Sequence, residues 1–134
     1  MAHLPTRTLD SQMDTVLQTA SANTVAKGDA LEFNSGYADR ADSSTAEIHA
    51  VAMQDQTTAG TALDLEIMWV QVGVECICDT AGSTSQALVG TYLDLTDHDT
   101  VNQAASNVNV FFVRGLVGAT TDKQVRGIFV NIVA

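Results

Sequence analysis

Apolar side chains in this chain recur at every second position, in short runs separated by polar loops. The stretch "LDLEI" shows the pattern most clearly: Leu63, Leu65 and Ile67 alternate with Asp64 and Glu66. A period of two places one set of side chains on each face of a β-strand, one face buried and the other wet. Eight runs read as strands on this basis or on their β-branched and aromatic content: residues 15–19, 29–33, 47–53, 63–72, 74–78, 91–95, 108–113 and 124–133. Between them lie loops such as "NSGYADRADSST", "QDQTTAGT" and "DTAGSTSQ", whose Gly, Ser, Thr, Asn and Asp supply turn conformations. Leu9, Met13, Val16, Leu17 and Ala20 also fit a helical spacing, but Thr and Val favour the extended state, and a strand is expected from Thr15.

The two halves echo each other. "AKGDALEF" (26–33) matches "LVGTYLDL" (88–95), "HAVAMQDQT" (49–57) matches "RGLVGATTD" (114–122), and "ALDLEIMWV" (62–70) matches "QVRGIFVNI" (124–132). The expected fold is therefore all-β, a small β-barrel or sandwich with a weak internal duplication, in which the halves close on one another and hide sheet edges. Residues 1–13 are expected to form a flexible N-terminal arm, and 14–134 a single β-domain. The arm carries the only proline, Pro5, and few apolar anchors, Leu4, Leu9 and Met13.

Composition narrows the function. A chain that is 46% hydrophobic can fill a core, while 16 acidic against six basic residues give a net charge of −10. Phosphate recognition needs clustered Lys and Arg, so a nucleic-acid partner is not expected. The start of the chain has no signal-like apolar core, and the densest apolar stretch, residues 67–77, is too short to span a bilayer. No membrane partner is expected, and synthesis is expected in the cytoplasm.

Candidate chemistry is sparse. "YLDLTDHDTV" gathers Asp94, Asp97, His98 and Asp99, which could hold a cation, but no calcium-loop pattern completes it, and a solvated acidic loop is expected, with Asp94 pointing outward. Cys76 and Cys78 would lie side by side on one strand face, poor geometry for a disulfide, and are expected to be reduced and packed. His49 reads as a packed or edge residue, Trp69 as core or interface, and Arg114 and Arg126 as ion-pair partners. No nucleophile elbow, zinc-protease motif, P-loop or dinucleotide fingerprint is present, so no enzyme and no cofactor are expected.

"HAVAMQDQTTAGTALDLEIMWVQVGV" is similar to a pattern in small tailed-phage head decoration proteins: a short "AVA" strand, a Gln/Thr-rich turn, then an alternating strand ending at a glycine. "DTVLQTASANTVAKGDALEF" resembles their opening half, and "GTYLDLTD" with "FFVRGLVGATTDKQVRGIFVNI" their closing half. The resemblance covers roughly residues 14 to 133; the chain differs from lambda-like members in its single proline. It implies a β-rich cement protein, usually trimeric, that sits on the outer surface of an icosahedral phage capsid and bridges subunits of the major capsid protein. On that reading the arm, through Leu4, Pro5, Thr6, Leu9 and Met13, would contact the capsid. Met68, Trp69, Phe111 and Phe112 offer large apolar side chains for a subunit interface, and a homotrimer is expected. A head-fibre base or host-surface adhesin is the second reading, for which Tyr37 is the only loop aromatic; a small trimeric β-barrel nucleotide hydrolase is the third, and its motifs are missing.

Overall fold

The computed structural model describes residues 13–21, 23–45, 47–70 and 74–130. Within them the chain is all-β, with two short 3-10 turns at Gln86–Leu88 and Thr120–Asp122. In chain order the strands are β1 (Met13–Gln18), β2 (Asn23–Val25), β3 (Ala30–Asn34), β4 (Tyr37–Arg40), β5 (Ala50–Ala52), β6 (Gln56–Thr58), β7 (Leu63–Trp69), β8 (Cys76–Thr80), β9 (Tyr92–Leu95), β10 (Thr100–Asn102), β11 (Phe111–Leu116) and β12 (Gln124–Phe129). The arm from residue 1 to 12 lies outside the described residues. Met13 does not belong to it: it opens β1, opposite Met68.

The strands close into two five-stranded barrels, β1-β4-β3-β5-β7 and β8-β10-β9-β11-β12, with β2 and β6 forming a separate two-stranded ribbon. The barrels have the same topology. In each, the first and third strands pair in parallel and every other pair is antiparallel. The register also matches. Ala30↔Val51 and Val51↔Met68 in the first barrel stand where Tyr92↔Phe112 and Phe112↔Ile128 stand in the second. Likewise Leu17↔Asp64 corresponds to Asp79↔Gln124, and Phe33↔Ala38 to Leu95↔Val101. The echo in the sequence is thus a duplicated barrel, one turn of which repeats its backbone too: Gly28 and Gly90 both adopt positive φ, +97° and +85°, a conformation a side chain would strain. Closing each sheet on itself leaves the ten barrel strands without free edges.

Parity decides what fills each barrel. Leu31, Ala38, Ala50, Ala52, Leu65 and Ile67 point into the first, with Val25 of the ribbon. Its mouth holds a polar plug. Gln18, fully buried, donates to the carbonyl and side-chain oxygens of Asn23 at 3.1 and 3.0 Å and accepts from Gln56 at 3.1 Å. Thr58 donates to the Thr19 carbonyl at 2.7 Å. Such a network satisfies groups that would be costly to bury alone. The second barrel is filled by Leu93, Leu95, Val101, Val113, Val125 and the edge-to-face pair Phe111–Phe129, 5.2 Å between centroids.

One apolar cluster joins the barrels. Ala30, Ala41, Ile48 and Val70, from the first half of the chain, pack in the same cluster as the interior of the second barrel, and Val51 lies against it. Ala30 and Val51 have the opposite parity to Leu31 and Ala50, so they lie on the outside of the first barrel, on the face that the second barrel covers.

Asp94 corrects the sequence reading. It was expected to point into solvent, but it is 5% exposed, because the segment 105–110 crosses over β9. Its carboxylate accepts the backbone N–H groups of Asn107, Val108 and Asn109 at 2.9, 2.8 and 2.9 Å. Glu32, at the equivalent place in β3, accepts the Thr45 hydroxyl at 2.7 Å, thirteen residues further along, the same interval that separates Asp94 from Asn107. The two acids pin equivalent loops.

Candidate functional site

With the barrel interiors filled, the surface remains. On the second barrel, outward positions of three neighbouring strands align into one apolar row: Tyr92 on β9, Phe112 on β11 and Ile128 on β12. The rings of Tyr92 and Phe112 lie 5.0 Å apart, and Tyr92 remains 41% exposed. Beside the row, a bulge at Arg114 and the missing side chain of Gly115 let two arginines converge. Arg114 and Arg126 donate to the same Glu75 oxygen at 3.1 and 3.3 Å, which leaves one positive charge in excess. These arginines are ion-pair partners, as expected from the sequence.

On the first barrel the exposed large apolar residues are Met13 and Leu17 of β1, Leu63 of β7 and Tyr37, which follows the β3–β4 turn. Asp64 and Glu66, both exposed, lie on the outer face of β7 beside Leu17, whereas Leu63 has the inward parity of Leu65 and is exposed at the start of the strand.

The residues expected at a subunit interface divide. Phe112 belongs to the outer row of the second barrel and is half-buried, as is Met68 on the outside of the first barrel between Met13 and Val51. Trp69 is half-buried and turned to its own barrel: its indole stacks on Phe33 at 5.3 Å and donates to Asp14 at 2.8 Å. Phe111 has no surface to offer, being wholly enclosed in the second core. Parity could have separated Phe111 from Phe112, since adjacent strand residues point to opposite faces. Of the capsid-contact candidates only Met13 is described; Leu4, Pro5, Thr6 and Leu9 lie outside the described residues.

A third feature lies where the barrels meet. The loop 96–99 between β9 and β10 docks on the turn before β3: the Ala30 N–H donates to the His98 carbonyl at 2.6 Å, and His98 Nδ1 lies 2.9 Å from Asp29 Oδ1. Asp29 is 3% exposed at its side chain and also accepts the Ala26 N–H. Potential ligand atoms of Asp29, His98 and Asp99 all fall within 4.8 Å of one another, at the edge of a cleft of about 340 Å³ whose lining includes Lys27, Asp29, Ile77, Asp79 and Gln124. Asp97 and Asp99 are exposed, as a solvated loop requires, whereas His98 turns inward. Burial works against the Asp97 charge, but hydrogen bonds from Asp99 outweigh it and lower its pKa; Asp99, sharing that bond, is raised. The sequence could not place Asp29 here, because it comes from the other barrel.

Cys76 and Cys78 are free thiols. Burial pushes the Cys78 thiol up to about 12, and Cys76 is raised for the same reason, so neither is a ready nucleophile. Among the described residues no helix is long and apolar enough to cross a membrane. Comparison with protein families, with curated proteins and with solved structures finds no match.

Proposed function

We propose that this chain is a structural protein of a virion: a decoration protein that binds the outer surface of an icosahedral phage capsid and stabilises the shell by bridging major capsid protein subunits. The observation that carries the reading is the distribution of large apolar side chains over the outside of two closed barrels, at Met13, Leu17, Tyr37, Ile77 and Tyr92. Side chains of this kind on a rigid β-surface serve adhesion to other proteins. The sequence resemblance over residues 14–133 supports the same role, as does the acidic balance, which discourages contact with nucleic acid. A homotrimer fits the local three-fold positions of such a shell. The protein is made in the host cytoplasm and resides on the outer face of the virion.

The test is direct. Expanded capsids of the same virus lacking this protein are mixed with the purified chain, sedimented and imaged. Saturable binding at discrete surface positions, with increased resistance of the shell to heat, is expected. Failure to co-sediment at any salt concentration would reject the role.

A further inference from the structure

We infer that the second barrel's outer row is a docking face for the first barrel of another copy of this chain, so that copies join head to tail into a closed ring. The inference comes from the duplication itself. Ala30, Val51 and Met68 of the first barrel occupy the same registered positions as Tyr92, Phe112 and Ile128 of the second. In the first barrel that row is partly covered, because the second barrel lies against it: Ala30 is 3% exposed and packs in the shared cluster with Val51 alongside. In the second barrel Tyr92, in Ala30's place, is 41% exposed, while Phe112 and Ile128 are half-buried, as Val51 and Met68 are. Among the described residues, the corner of the repeated unit at Ala30 is thus covered inside the chain, and its counterpart at Tyr92 is open at the end.

The junction inside the chain also shows what the open face should meet. There the turn at residues 26–30 faces the outer side of β8 across a cleft in which Ile77 stays 64% exposed, with Asp79 and Gln124 beside it and the 96–99 loop above. By register, the counterparts of Ile77, Asp79 and Gln124 on the first barrel are Thr15, Leu17 and Asp64, and the counterpart of the loop is the β3–β4 turn that leads into Tyr37. That surface bears exposed Leu17 and Tyr37. Leu17, Tyr37 and Tyr92 therefore lie on the two surfaces that repeating the internal junction would bring together. Charge agrees: Arg114 and Arg126, with one carboxylate between them, flank the open row, while the receiving face carries Asp64 and Glu66.

A contact between two different faces of one chain is heterologous, and it closes into a ring when the rotation between units permits. The inference does not depend on capsid binding, and its test uses no capsid.

The full chain is measured in solution by light scattering and native mass spectrometry, beside Tyr92→Arg and Leu17→Arg. Both substitutions fall on exposed side chains, and circular dichroism checks that each variant remains folded. The wild-type chain should form a closed ring of two or more copies at micromolar concentration, and each variant alone should associate about tenfold more weakly or worse. Mixing the two variants should restore a single sound junction, between the second barrel of the Leu17→Arg chain and the first barrel of the Tyr92→Arg chain. The mixture should therefore yield one-to-one pairs and nothing larger. A monomeric wild type, an oligomer lost in only one of the variants, or a mixture without pairs would each overturn the inference.

Discussion

Replacing Asp94 by alanine tests how much of the second barrel hangs on one buried carboxylate. Three backbone N–H groups, at Asn107, Val108 and Asn109, lose their acceptor together. A buried donor left without a partner costs about 1–3 kcal/mol. Because the loop can shift and admit water, the full sum of three is not reached, and about 3–5 kcal/mol is expected, a large share of the roughly 5–15 kcal/mol that holds a domain of this size. Glu32→Ala is the internal control. It stands at the equivalent position of the first barrel, is half-exposed, and loses chiefly one hydroxyl bond from Thr45, so about 1 kcal/mol is expected. Urea unfolding followed by circular dichroism measures both. If Asp94→Ala costs less than about 1 kcal/mol, or no more than Glu32→Ala, the carboxylate is not the clamp described here. The pH dependence carries the same signature. Burial raises the Asp94 pKa, but the N–H groups of Asn109, Asn107 and Val108 outweigh it and hold it below its ordinary value. A lowered carboxyl contributes stability that is complete above the ordinary range and is lost as pH falls through the folded value. Wild type should therefore lose stability on acidification below about pH 4 more steeply than Asp94→Asn.

Phe111→Ala, which empties a fully buried ring site, should cost about 3–5 kcal/mol in the same urea assay, while removing the half-exposed Phe112 ring should cost clearly less. Cys78 should resist thiol reagents near pH 8 until the fold is unfolded, and rapid labelling of the native protein would contradict its burial. Trp69, the single tryptophan, reports on the first barrel alone, whereas circular dichroism reports on both. The shared cluster predicts that the two signals unfold in one coincident transition, and separate midpoints would show independent barrels. Deleting residues 2–12 should leave the fold intact but weaken capsid attachment; undiminished decoration by the truncated chain would remove the arm from the contact.

The strands that the sequence announced are those with apolar alternation. Residues 63–72 and 124–133 were expected as strands and contain β7, Leu63–Trp69, and β12, Gln124–Phe129. The strands missed, β2, β4, β6 and β10, are three or four residues long and read "NTV", "YADR", "QTT" and "TVN". Such segments owe their extended shape to the neighbours they pair with, so no local period marks them. The duplication was legible because register fixes which residues alternate, and a repeated register leaves a repeated pattern. Asp94 was misplaced for the opposite reason. Its parity does point away from the barrel interior, but a loop from further along the chain covers it. The junction at Asp29 and His98 was out of reach, since nothing in either half names its partner in the other.

Each barrel is made from one unbroken length of chain, the first closed by Met13 against Met68 and the second by strands between Cys76 and Phe129. During synthesis the first barrel can therefore complete its ladder while the second is still unmade. At that moment Ala30, Ile48, Val51 and Val70, whose cover comes from residues not yet added, stand bare on a finished sheet. The nascent half is folded and adhesive at once, and it stays so for as long as some sixty further residues take to emerge at about 5–20 residues per second. A chain halted after residue 73 should bind more of a hydrophobic dye than the completed protein does. Slowing the ribosome over the second half would lengthen the adhesive interval and promote clumping of half-made chains, without changing a single contact of the final fold.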